Sequence, residues 1–132
     1  MTIKDLQPSA IWGYFHDITQ IPRPSKKEQR ILAWLLDFAR EHNLEAKQDK
    51  AGNILITKPA TEGKEHVPTI ILQSHVDMVC EKNSDVTHDF DNDPIETIID
   101  GDWVKANGTT LGASAGCRRY RARENRGALY CR

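Results

Sequence analysis

The sequence predicts an α/β fold in which two helices pack on a small mixed sheet. Two stretches carry apolar residues at helical spacing, and a third, Thr69–Leu72, is a continuous apolar run. A run of this kind is typical of a strand that is buried on both faces between helices. A chain of 132 residues is long enough for one domain with its own hydrophobic core.

The helices are predicted from their apolar stripes and their end signals. Pro8 suits a first turn, and the proline-rich stretch at 21–24 ends a helix over about residues 8–19. Ser25 and Glu28 have the spacing of a capping box. They predict that a second helix begins there, and its apolar stripe continues to about His42.

Turn signals predict two pairs of strands. The stretch 49–52 predicts a turn between strands at 44–48 and 53–57, and Asp100-Gly101 predicts a hairpin of 95–99 with 103–105. The apolar run Thr69–Leu72 stops at polar residues that include His75 and Asp77. Ligands in open α/β sheets gather beyond the carboxyl ends of strands, so we expect chemistry at these two residues.

Composition excludes several classes of protein. The formal net charge of -1 gives no general attraction to nucleic acid or to membranes. The first residues lack the apolar stretch of a signal peptide and no run is long enough to span a bilayer, so a cytoplasmic protein is expected. The three cysteines fit neither a disulfide framework nor a zinc cluster, which favours free thiols.

The composition changes after Ala113. All nine lysines precede residue 114, whereas six of the nine arginines lie in the last nineteen residues. We predict a boundary here, with residues 1–113 as a folded unit and 114–132 as an aberrant arginine-rich tail that packs poorly. A reading-frame slip near codon 114 is a hypothesis for its origin, which the gene sequence tests. An alternative is weak nucleic-acid binding through Arg118–Arg126, with Tyr120 and Tyr130 stacking on bases.

His75 and Asp77 admit two interpretations. In the first, the imidazole of His75 binds zinc and Asp77 orients a ligand or the catalytic base. In the second, His75 is a structural histidine that is hydrogen-bonded to its neighbour. Nearby, Cys80 is favoured as a buried thiol, and the acidic loop at 85–93 lacks the glycine and distal glutamate of a calcium loop, which favours a solvated loop.

Several blocks resemble, in order, the aminoacyl-histidine dipeptidases. They are Ile-Pro-Arg-Pro-Ser at 21–25, Gly-Asn-Ile-Leu-Ile at 52–56, Leu-Gln-Ser-His-Val-Asp-Met-Val at 72–79, His-Asp-Phe at 88–90 and Trp-Val-Lys-Ala-Asn-Gly-Thr-Thr-Leu-Gly-Ala at 103–113. The resemblance implies that residues 1–113 are the amino-terminal part of a zinc-exopeptidase-like catalytic domain. It implies a two-zinc metallodipeptidase that hydrolyses Xaa-His dipeptides such as carnosine, with His75 as a zinc ligand and Asp77 as the adjacent catalytic aspartate.

The sequence departs from the family pattern directly after these blocks. Members of the family continue with Asp-Asn-Gly, whose aspartate bridges the two metals, but this chain has Ser114-Ala115-Gly116. The resemblance places the other ligands and the dimerisation domain further along the family's chain. We therefore expect this chain to bind zinc weakly or not at all and to be inactive alone, with a homodimer possible only for the complete enzyme. The alternative is a non-catalytic fragment or interaction module.

Overall fold

The computed structural model describes residues 2–112, 119–121 and 130–131. A short 3-10 turn, Ile3–Asp5, precedes two helices, α1 (Ser9–Thr19) and α2 (Gln29–Glu41). The strands are β1 (Glu45–Gln48), β2 (Ile54–Thr57), β3 (Thr97–Asp100), β4 (Trp103–Ala106), β5 (Arg119–Arg121) and β6 (Tyr130–Cys131). The prediction of an α/β fold with two helices is confirmed.

The predicted bounds of α1 are confirmed, but the predicted start of α2 is wrong. Pro8 directly precedes α1, as its missing N–H group allows. Helix α2 begins only at Gln29, and the residue before it, Glu28, makes no capping hydrogen bond with its side chain. Glu28 instead accepts a hydrogen bond from the backbone N–H of Lys26, at 2.6 Å. Ser25 is therefore not the cap of α2, and its hydroxyl is used elsewhere.

The described strands form two antiparallel sheets, where one mixed sheet was predicted. One sheet contains β1 and β2, and the other has the order β3-β4-β5-β6. Both predicted turns are present, with Gly52 (φ 94°) and Gly101 (φ 56°) in the left-handed region that favours glycine. Turn chemistry thus identified both hairpins correctly.

The prediction of a buried strand at Thr69–Leu72 is wrong for this chain. Ile70, Ile71 and Leu72 are 79%, 83% and 91% exposed. None of the described strands pairs with this run or covers its faces. An apolar run indicates a buried strand only where neighbouring elements are present to bury it.

Among the described residues, the core consists of two clusters, and Phe15 packs against both. Ile3, Trp12 and Val104 form the first cluster. Met78, Ile95 and Leu111 form the second. Met78 directly follows Asp77, so the second cluster anchors the chain beside the predicted site.

The arginine-rich tail is described only in part. The backbone of β5 pairs with β4, and that of β6 pairs with β5. The other residues of 114–132 lie outside the described residues, and they include Ser114 and most of the stretch Arg118–Arg126. Among the described helices, none is long and apolar enough to cross a membrane.

Candidate functional site

His75 and Asp77 lie outside the helices and strands, between the exposed apolar run and the buried Met78. His75 Nδ1 is 2.9 Å from Asp77 Oδ1, which is hydrogen-bond distance. The imidazole and the carboxylate thus lie together, and we refer to them as the His75–Asp77 pair.

Asp77 is held from a second direction by Ser25. The Ser25 hydroxyl donates a hydrogen bond to Asp77 Oδ2, while His75 contacts the other carboxylate oxygen. The hydrogen bond from Ser25, followed by that from His75, lowers the pKa of Asp77 below its ordinary value. Asp77 is therefore ionised at neutral pH and can only accept hydrogen bonds.

Ionisation of Asp77 decides which nitrogen of a neutral His75 carries the proton. A carboxylate that accepts at Nδ1 requires a proton there, which leaves the lone pair on Nε2. The His75 side chain is 55% exposed, so this imidazole is not a core histidine. The pair has the arrangement that metal-binding histidines show, in which a carboxylate fixes the ring and the opposite nitrogen is directed at the metal.

Backbone contacts place Ser25 beside the pair. The Met78 N–H donates to the Arg23 carbonyl at 3.0 Å, and Pro24 and Met78 form a parallel bridge. The Arg23 side chain is only 2% exposed, and its Nη1 donates to the Ile18 carbonyl near the end of α1, at 2.9 Å. A cation at a helix carboxyl end is favoured by the helix dipole. Arg23 therefore fixes the proline-rich segment to α1, and that segment carries Ser25 to Asp77.

A groove of about 600 Å³ opens beside the pair. Its lining comes from the start of α2, from the turn between β1 and β2, and from the segment around the pair, and it includes Glu28, Leu32, Asn53, Ser74, His75 and Asp77. Leu32 and Leu35 of α2 contribute apolar side chains to the groove, and the segment around the pair contributes polar ones.

The donor atoms of the pair fit zinc in kind but not in number. A neutral imidazole is a preferred zinc ligand, and a structural or catalytic zinc ion takes three or four protein ligands. Within residues 2–112 and the two short strands beyond, no group of three or more His, Cys, Asp or Glu side chains could hold a metal ion. Asp77 uses both of its oxygens on Ser25 and His75. At the pair, the described residues therefore present one imidazole nitrogen, Nε2, that is available to a metal ion, and Asp77 is the hydrogen-bond partner of that imidazole.

The other polar residues near the pair have structural roles. Burial raises the pKa of the Cys80 thiol, and the negative charge of Asp91 acts in the same direction, so Cys80 is a weak nucleophile at neutral pH. In the acidic loop, Asp89 accepts hydrogen bonds from the Asp91 N–H and the Asn92 side chain, and Asp91 forms an ion pair with Lys27 at 2.6 Å. These carboxylates stabilise the loop itself.

Sequence reasoning identified the His75–Asp77 pair but missed Ser25 and Arg23. Ser25 was interpreted as a helix cap because its distance from Glu28 fits a capping box. The available signal was its position in the Ile-Pro-Arg-Pro-Ser block, one of the segments that resemble the dipeptidases.

Comparison with known proteins identifies relatives of this chain. No protein-family model matches it. It is 46% identical over 114 residues to the cytosol non-specific dipeptidase of Escherichia coli strain K12, a match that covers 86% of this chain and 24% of the relative. It also matches the crystal structure of the aminoacylhistidine dipeptidase from Vibrio alginolyticus, with a TM-score of 0.82 and 45% identity over 86% of this chain and 23% of that one. The chain thus spans about a quarter of the length of these relatives.

Proposed function

This chain is related in sequence and fold to the amino-terminal part of dipeptidases, which are hydrolases acting on peptide bonds, and from that premise we propose that it carries one portion of a zinc dipeptidase site. In this proposal His75 is a zinc ligand through Nε2, and Asp77 is the adjacent catalytic aspartate. The observation that carries the proposal is the hydrogen bond between His75 Nδ1 and Asp77 Oδ1, in an exposed segment beside a groove.

The proposed substrates are Xaa-His dipeptides of the carnosine type, in a cytoplasmic setting. Zinc held by a complete set of ligands would supply a Lewis acid for the scissile carbonyl and would make water more acidic. The residues of this chain have a narrower role. Asp77 holds the proton of His75 at Nδ1, which leaves Nε2 of the imidazole available to a metal ion. The groove receives part of the dipeptide.

We propose further that this chain alone does not hydrolyse dipeptides. Residues 1–113 form part of the catalytic domain, and Ser114 stands where the resemblance expects the bridging aspartate. Among the described residues, the site consists of a single imidazole with one neighbouring carboxylate, a set that neither fixes two metal ions nor leaves a free general base for the attacking water. The absence of a general base alone is expected to cost a factor of about 10²–10⁴ in rate.

A carnosine hydrolysis assay with added zinc tests this proposal. The purified chain and its His75→Ala variant are compared, with His66→Ala as a control because His66 is exposed and does not line the groove. We expect no turnover from any of the three proteins. Turnover by the original chain and by His66→Ala that vanishes in His75→Ala would contradict the proposed inactivity and would place a working site at His75.

The alternative is that the chain is a non-catalytic interaction module. A measurement of zinc affinity distinguishes this alternative from a partial dipeptidase site. Zinc affinity that depends on His75, together with no hydrolysis, supports a partial dipeptidase site. If zinc affinity is the same with and without the imidazole of His75, the assignment of the metal ligand is wrong.

A further inference from the structure

Ser25 contacts Asp77 from a part of the chain fifty-two residues away in sequence. The hydroxyl donates to Asp77 Oδ2, and the same oxygen atom of Ser25 lies 3.4 Å from the Met78 carbonyl. Ser25 is exposed and does not cap α2. Neither core packing nor helix capping therefore explains the position of this side chain.

A carboxylate that is held at one oxygen only can rotate, because the terminal torsion of aspartate is broad. The hydrogen bonds from His75 and Ser25 reach different oxygens, so together they fix the plane of the Asp77 carboxylate. Ser25 is itself fixed, because the neighbouring Pro24 pairs with Met78 and the Arg23 side chain is bonded to the end of α1. The orientation of Asp77 is thereby tied to the folded core.

We propose that Ser25 is a positioning residue, whose hydroxyl holds Asp77 so that His75 keeps its proton on Nδ1 and presents Nε2 to a metal ion. The metal part of this inference rests on the proposed function. The effect on the proton of His75 does not, because it follows from hydrogen bonds within the chain. Ser25 acts through Asp77 and touches neither substrate nor metal.

The distribution of the His75 proton is measured directly by ¹⁵N nuclear magnetic resonance of the imidazole nitrogens, without metal, at a pH where the ring is neutral. The variants are Ser25→Ala, Ser25→Gly, Ser25→Thr and Asp77→Ala. Ser84→Ala is the matched control, because Ser84 is an exposed serine outside the groove. Amide spectra establish that each variant keeps the fold, which is expected because Ser25 is exposed.

We expect Asp77→Ala to shift His75 towards the Nε2–H form that free imidazole side chains prefer. Ser25→Ala and Ser25→Gly should shift the ratio of the two forms in the same direction by about two- to ten-fold, as expected for the loss of one hydrogen bond. Ser25→Thr, which keeps the hydroxyl, and Ser84→Ala should match the original chain. The proposal is overturned if Ser25→Ala and Ser25→Gly leave the ratio unchanged, or if Asp77→Ala does.

A zinc titration of the same variants separates this inference from the proposed function. Removal of partners that orient a metal ligand typically weakens metal affinity by 10–100-fold, and for Ser25→Ala we expect about ten-fold. If the proton shifts in Ser25→Ala but none of the proteins binds zinc at His75, the positioning role stands and the proposed zinc site fails. If zinc binds through His75 and the proton does not shift, the zinc site stands and the role of Ser25 fails.

Discussion

Truncation of Met78 tests whether the core anchors the segment that carries the site. The Met78 side chain is 3% exposed and packs in one cluster with Ile95 and Leu111. Met→Ala in a core typically costs about 2–5 kcal/mol, and the cost depends on how far the surroundings collapse into the cavity. Partly exposed side chains, including Cys80 and Phe90, border this cluster and can move inward. We therefore expect Met78→Ala to cost about 2–3 kcal/mol, in the lower half of that range.

The assay is urea unfolding followed by circular dichroism, with two matched variants. Met78→Leu keeps most of the volume and should cost less than about 1.5 kcal/mol. Val79→Ala changes the next residue, which is 47% exposed, and should stay within about 0.5 kcal/mol of the original chain. If Met78→Ala costs no more than Val79→Ala, Met78 is not an anchor and the reasoning about the site's support is wrong.

Three further predictions concern the turns and the exposed run. Gly108 has φ 75°, and an added Cβ would lie 2.4 Å from Val86 Cγ2, so Gly108→Ala should lower the free energy of unfolding by more than about 1 kcal/mol. Adding Val86→Ala removes the clash but not the backbone strain, and full recovery of stability would contradict this account. Hydrogen bonds from Asn53 lower the pKa of Asp49 in the folded chain. The ionised Asp49 therefore stabilises the fold above the unfolded pKa of about 3.9, and this stabilisation is lost as the pH falls through the lower folded pKa. Between pH 2 and 5, the free energy of unfolding should change less with pH in Asp49→Ala than in the original chain. An equal change in both proteins would contradict the proposed role of Asp49 in the turn. The exposed apolar run should promote self-association of the chain. Ile71→Lys should therefore reduce self-association, measured by sedimentation velocity, without lowering the free energy of unfolding. A loss of stability would mean that Ile71 is buried.

The elements that could be predicted from sequence are those whose signals are local. Helix α1 follows from Pro8 and its apolar spacing, and the β3–β4 hairpin follows from Asp100-Gly101 between two apolar stretches. Each signal depends on residues that lie within one element or one turn, so it needs no knowledge of the rest of the fold.

The predictions that were wrong depend on distant parts of the chain. The run Thr69–Leu72 has the composition of a buried strand, but burial requires neighbours that the described residues do not provide. Ser25 fits a capping box by spacing, but the Asp77 carboxylate, far along the sequence, accepts its hydrogen bond. In the site, the His75–Asp77 pair was predictable because both residues lie within one tripeptide. The Ile-Pro-Arg-Pro-Ser block marked Ser25 and Arg23 as part of the resemblance, but their contacts were not predictable, because these depend on pairing between two separate segments.

The most direct test of the central claim is a zinc titration of the chain and its His75→Ala variant, followed through the ¹⁵N resonance of His75 Nε2 and by calorimetry. We expect binding that shifts Nε2, that is lost in His75→Ala, and that is several kcal/mol weaker than the roughly 10–16 kcal/mol of four-ligand zinc sites. Tight, stoichiometric zinc binding that survives His75→Ala would contradict the claim, because it would place the metal at residues other than the His75–Asp77 pair.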